Sequence, residues 1–302
     1  MATTTAEPQA GLRENETSFR AVTDATTLHE RLGPLAELPG RWSGHGFNLI
    51  ARPDFQGGND IFLELNPTRE TLTFDTIGSA IPNRGSGQDD IDLFGVHYLQ
   101  QISDRSNGGA LHIEPGIWIT VPQTQLPPEP ATIARLATIP HGDAANLGGT
   151  AVSVNGGPDI KPANTVPFPI GTPPPGPGTP NPFPEYNLGA PNAFRTHPVP
   201  SGVTQAMVTD PNSVLVAAIA GQNITHTEVL IVSSTDGGGI ANIPFVVQNA
   251  DAASASAIFW IETVQGHGRK HHLQLQYTQT VLLNFKGLSW PHVSVATLTK
   301  TF

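Results

Sequence analysis

Glycine and proline interrupt this sequence so often that long regular helices have nowhere to form: 31 glycines and 29 prolines are spread over 302 residues. Proline removes a backbone donor, and glycine weakens any element interior, so each tends to mark where an element stops. Between them lie short apolar runs rich in β-branched and aromatic residues, the pattern of strands joined by turns. Charged residues make up only 13% of the chain, too few for a coiled coil or a charged disordered protein. The expected class is all-β.

Strands are predicted over residues 42–52, 61–66, 70–77, 91–103, 110–121, 132–139, 227–233, 243–248, 257–265, 272–285 and 291–300. Thr71 to Phe74 and Leu111 to Glu114 alternate polar with apolar, which turns one strand face inward and the other to water. Leu28, Leu32, Leu35 and Leu38 have helical spacing and are stopped by Pro39-Gly40. A second helix is expected over 213–220, with Asp210 as its cap and Gly221 as its stop. Without any strand–helix alternation, the economical reading is a single antiparallel barrel of roughly ten to eleven strands with short helices. It is expected to span 25–302, after a disordered tail at 1–24, and to be interrupted by a Pro/Gly-rich insertion over 140–212. Phe168, Phe183, Tyr186 and Phe194 suggest that the insertion lies against the barrel as an irregular flap. The alternative is a disordered proline-rich tether.

A net charge of −10 argues against nucleic acid or an anionic membrane as partner. No apolar run is long enough for a spanning helix, and no basic start leads into an apolar stretch, so the expected location is cytoplasmic. The absence of cysteine removes disulfides, thiolate metal sites and cysteine nucleophiles. No zinc-protease HExxH, Walker loop or Gly-x-Ser-x-Gly elbow is found. The histidines between Gly266 and His272 read as a solvated hairpin tip. A small-molecule ligand is the expected partner, and a homo-oligomer is compatible with the sequence.

Two stretches are more specific. One runs from Leu32 to Gly46 (LGPLAELPGRWSGHG), where a short helix enters a strand whose glycines permit close backbone approach beside Trp42. The other is Ser289 to Leu298 (SWPHVSVATL), which places His292, Ser294, Ala296 and Leu298 on one strand face. Val293 and Val295 occupy the opposite face, so periodicity does not decide which side is interior. Taken alone, these residues favour a core role for His292, bonded to a backbone carbonyl.

Together with Glu70 to Gly78 and with Leu111 to Trp118 (LHIEPGIW), these stretches resemble the nitrobindins, calycin-related ten-stranded barrels. The resemblance covers roughly 30–140 and 270–300, in matching order. It implies ferric heme b ligated by His292, with Trp42, Gly44, His45, His112 and Trp118 around the cofactor. In that reading His45 is a distal polar group, and the iron binds nitric oxide and converts peroxynitrite to nitrate. Two readings stand beside it. One is a heme-free carrier with a pocket lined by Phe47, Phe62, Phe74, Phe94, Trp118, Phe259 and Trp290. The other is a metal-free enzyme using Glu114, Asp92 or His112 in proton transfer.

Overall fold

The computed structural model describes residues 24–301 except 177, 267 and 269; of the expected tail at 1–24, residues 1–23 lie outside the described residues, and Asp24 is the cap of a helix. Ten antiparallel strands each pair with the next in sequence, and the last pairs with the first, closing an all-antiparallel barrel. They are β1 (Gly40–Asp54), β2 (Asn59–Thr76), β3 (Ile91–Asp104), β4 (Ala110–Val121), β5 (Thr132–Ile139) and β6 (Asp143–Asn155). The remaining four are β7 (Ile224–Ser233), β8 (Asp251–Gln265), β9 (His271–Phe285) and β10 (Leu288–Thr301). Closure between β1 and β10 depends on small residues. A Cβ on Gly44 would lie 2.1 Å from the Thr297 carbonyl oxygen, and one on Gly46 would lie 2.0 Å from that of Val295.

Some elements differ from the sequence expectation for identifiable reasons. The runs at 61–66 and 70–77 are one strand, because β2 continues through Pro67. Strand β3 pairs only with the half from Thr68 to Thr76, so Pro67 stands at an edge where the missing N–H is tolerated. Residues 243–248 are helical rather than extended: Pro244 opens α4 (Pro244–Asn249), where its fixed φ suits a first turn. Residues 143–155, expected in the insertion, form β6, so the excursion from the barrel is 156–223.

The barrel has a closed and an open end. Helix α1 (Ala25–Leu32) begins at Asp24, whose carboxylate accepts from the amides of Thr26 and Thr27 at 3.1 and 3.2 Å. A 3-10 turn (Gly33–Leu35) follows it. Leu32, Leu35 and Leu38 then pack on Trp42, Leu72, Phe74, Trp118, Phe259 and Leu298 inside the barrel. The Trp42 indole N–H donates to the Leu38 carbonyl at 2.8 Å, which fixes the plug to β1.

The excursion 156–223 is docked. It carries α2 (Gln205–Thr209) and α3 (Ser213–Ile219), and it covers an apolar outer face made by Phe47, Leu49, Leu63, Trp260, Trp290, Val293 and Val295. The unpaired edge of β2 is capped where the Leu63 amide donates to the Phe194 carbonyl, and the Thr196 amide donates to the Leu63 carbonyl, both at 2.9 Å. Buried Arg195 between them donates to the carbonyls of Glu185, Asn187 and Ala190. Asp210 does not cap α3 with its side chain; it accepts from the amides of Ala163 and Asn212 and ties two parts of the excursion together.

Candidate ligand-binding site

Burial by the excursion answers the question that periodicity left open on β10. Val293 and Val295 face outward into the covered apolar layer, which leaves His292, Ser294, Ala296 and Leu298 facing the interior. Ala296 and Leu298 lie in the packed floor. His292 and Ser294, nearer the open end, line a cavity of about 730 Å³. Its apolar wall includes Ile50, Ile102, Ile139, Leu147, Val281 and Leu283, and its mouth is flanked by Phe55 and by Phe245 of α4.

The His292 imidazole is neutral at ordinary pH, because burial, reinforced by the neighbouring imidazoles of His112 and His141, pushes its pKa down to about 3. Its Nε2 lies 2.7 Å from the Asn48 amide nitrogen, which also donates to Ser294 Oγ at 2.8 Å. An amide nitrogen can only donate, so Nε2 carries the lone pair and accepts.

Below this level a polar layer separates cavity from floor. His112, Glu114, Gly116 and Trp118 follow one another on the inner face of β4, by the period of two. Glu114 is fully enclosed. Burial alone would raise its pKa, but the Arg135 charge and hydrogen bonds from His112 and Tyr98 hold it at about 2, so it is a carboxylate. Arg135, equally buried, pairs with Glu114, donates from Nε to the Tyr98 hydroxyl at 2.9 Å and from Nη1 to Gln279 Oε1 at 2.6 Å. Gly116 makes room for Tyr98: a Cβ there would lie 2.5 Å from its ring. A second cluster joins Glu70 to Tyr277 at 2.5 Å, to Thr68 at 2.7 Å and, through Tyr277, to Gln100. Burial raises the Glu70 pKa despite these bonds.

Of the six residues singled out around a cofactor, two line the cavity: His292 and His112. Trp42 and Trp118 are in the packed floor, and Gly44 is in the wall against Thr297 and Leu298. His45 is exposed, because it alternates out of the barrel one residue before Gly46; it is not a distal group of this cavity. Asp92 is also exposed, on a short ribbon paired with Pro82. The aromatic residues proposed as lining lie elsewhere: Phe47 and Trp290 under the excursion, Phe74, Trp118 and Phe259 in the floor. Asn48, Gln279 and Arg135 were not anticipated. Arg135 did leave a signal, as a lone cation between Ile133 and Ala137 on the apolar face of a strand.

No family model matches the chain, and no curated protein matches it. Among solved structures it is similar to the crystal structure of Rv2717c from M. tuberculosis, with 14% identity and a TM-score of 0.43. That match covers 92% of this chain and 100% of the other. At that distance neither family nor activity is transferred, and the site stands on its own geometry. Among the described residues no group of three or more His, Asp or Glu side chains is placed to hold a bare metal ion. No helix among them is long and apolar enough to cross a membrane.

Proposed function

We propose that this chain is a ligand-binding barrel whose ligand is heme, held through His292 as in the nitrobindins that its sequence resembles. The observation that carries the reading is a neutral imidazole on the wall of a cavity of about 730 Å³ that is open at one end. The volume is within the ~300–1,000 Å³ usual for small-molecule and cofactor sites. The donor chemistry also fits: ligation needs a deprotonated imidazole nitrogen, and Nε2 is held in that state. On ligation Asn48 would give up its bond to Nε2 and keep the one to Ser294. Ile50, Val281 and Leu283 would exclude water from the cofactor faces. When bound, heme would supply ligand exchange and redox chemistry toward small oxidants such as peroxynitrite or peroxide.

A hemin titration tests this. A saturable, roughly one-to-one Soret change is expected, with affinity reduced on the order of 10–100-fold and an altered spectrum in His292→Ala. A non-saturating signal, or one that the substitution leaves intact, overturns it. The bond from Asn48 to Nε2 favours a second reading, a heme-free carrier of a hydrophobic molecule, since it satisfies His292 without iron. In that case hemin gives no saturable change, while a fluorescent lipid probe binds and is displaced by the natural ligand extracted from the purified protein.

A further inference from the structure

We infer that His112, backed by Glu114, is a proton-accepting group for an apolar substrate with a weakly acidic C–H, and that Gln279 stabilises the anion formed. The inference uses the same cavity as the proposed function but does not depend on heme.

Three observations combine. First, His112 Nε2 lies 3.3 Å from Glu114 Oε2. An ionised carboxylate only accepts, so Nε2 carries the proton and the lone pair is on Nδ1. Among the described residues no hydrogen bond is made to Nδ1, and His112 lines the cavity. Second, Glu114 cannot turn away, because its other oxygen is bound by Arg135 and by the Tyr98 hydroxyl. A fixed carboxylate behind an imidazole sets its tautomer and stabilises the imidazolium that forms when it takes a proton. Third, Arg135 occupies the Gln279 amide oxygen at 2.6 Å. The Gln279 NH₂ group is thereby left as a donor on the same cavity wall. One buried arginine therefore orients both a base and an anion-stabilising donor, and the apolar walls strengthen both effects.

In this step the substrate C–H bond breaks, its proton passes to Nδ1, and the electron pair delocalises onto a substrate carbonyl oxygen facing Gln279. Return of the proton to another atom completes an isomerisation without any oxidant or co-reactant. Ketones and lactones of moderate size are the implied substrate class.

Elimination of 5-nitrobenzisoxazole by the heme-free protein is the test. There the base takes the C3 proton, the C–H electron pair forms the additional carbon–nitrogen π bond, and the N–O bond breaks to give coloured 2-cyano-4-nitrophenolate. Saturable turnover is expected, with kcat falling on the order of 100-fold or more in His112→Ala. Gln279→Met should lower kcat on the order of tenfold with little change in KM. His45→Ala, on the exposed outer face of β1, should stay within a few-fold of the parent, and use of the heme-free protein separates this inference from heme binding. The rate should rise with pH over one ionisation. The groups around that ionisation are Glu114 on β4, Arg135 on β5, His141 and Asp143 beyond it, Tyr98, Glu70, Tyr277 and His292. Thermal melts and circular dichroism check folding, and His112→Gln serves if His112→Ala does not fold. Absence of saturable turnover, equal activity in the folded His112 variant, or equal losses in His141→Ala and His112→Ala would each overturn the assignment.

Discussion

Glu262 illustrates how strongly burial acts on single residues in this molecule. Its side chain is buried on the outer face of β8, with Oε2 accepting from Gln274 at 2.6 Å and Oε1 without a partner. Burial, only partly offset by that bond, raises its pKa to about 7. The folded state therefore holds a proton that the unfolded chain, near 4.5, gives up earlier. Its contribution to stability is intact below pH 4.5 and declines as pH rises towards 7. Glu262→Gln removes this penalty while keeping an acceptor for Gln274. In urea titrations at pH 8 the variant should be more stable by about 3 kcal/mol, with the gain vanishing by about pH 4.5. A stability difference that does not change with pH would show that the carboxylate is solvated.

At the scale of elements, the excursion 156–223 behaves as part of the wall. Its composition is that of a loose tether, yet Tyr186, Val208 and Leu215 are buried against the outer strands. The carbonyls bound by Arg195 draw the segment around 185–195 together beside the edge of β2. Arg195→Ala leaves these carbonyls without their partner, a local loss of about 2 kcal/mol, or roughly 30-fold in opening. Limited proteolysis should then cut within 176–202 about that much faster, with the barrel still folded by circular dichroism. Cleavage at the parental rate would mean that the apolar contacts alone hold the excursion.

The whole molecule divides its interior between a packed floor at one end and an open cavity at the other. Leu38 belongs to the packed plug, with no exposed surface, whereas Leu283 lines the cavity. Leu38→Ala should cost about 2–5 kcal/mol in denaturant unfolding, the range for a buried leucine with tightly packed neighbours. Leu283→Ala enlarges a space that already exists, so it should cost less than about 1 kcal/mol while weakening uptake of a hydrophobic probe. Equal stability losses would contradict the division into floor and cavity.

Much of this architecture was legible in the chain. Spacing of glycine and proline gave the all-β class, alternation put His112, Glu114 and Trp118 on one strand face without showing that this polar face is the inner one, and the leucine period gave the short helix before β1. Alternation also placed His45 opposite to Gly46, although its glycine-rich surroundings suggested a pocket. By contrast, residues 243–248 looked extended because their apolar run is too short to carry a helical period, and β6 was hidden by its small residues and paired glycines. Two features required the tertiary structure. The orientation of β10 could not be read, because the excursion buries its outer face and makes both faces apolar. Arg135 meets Glu114 on the neighbouring strand β4, but its bond to Gln279 joins β5 to β9, far apart in sequence, and only barrel closure brings those two to the same layer. Sequence by itself determined which residues share a face along each strand; closure and the docked excursion determined which face is interior on β10, and which inward positions form a solid floor and which face an open cavity, because that depends on what packs across the barrel rather than along it.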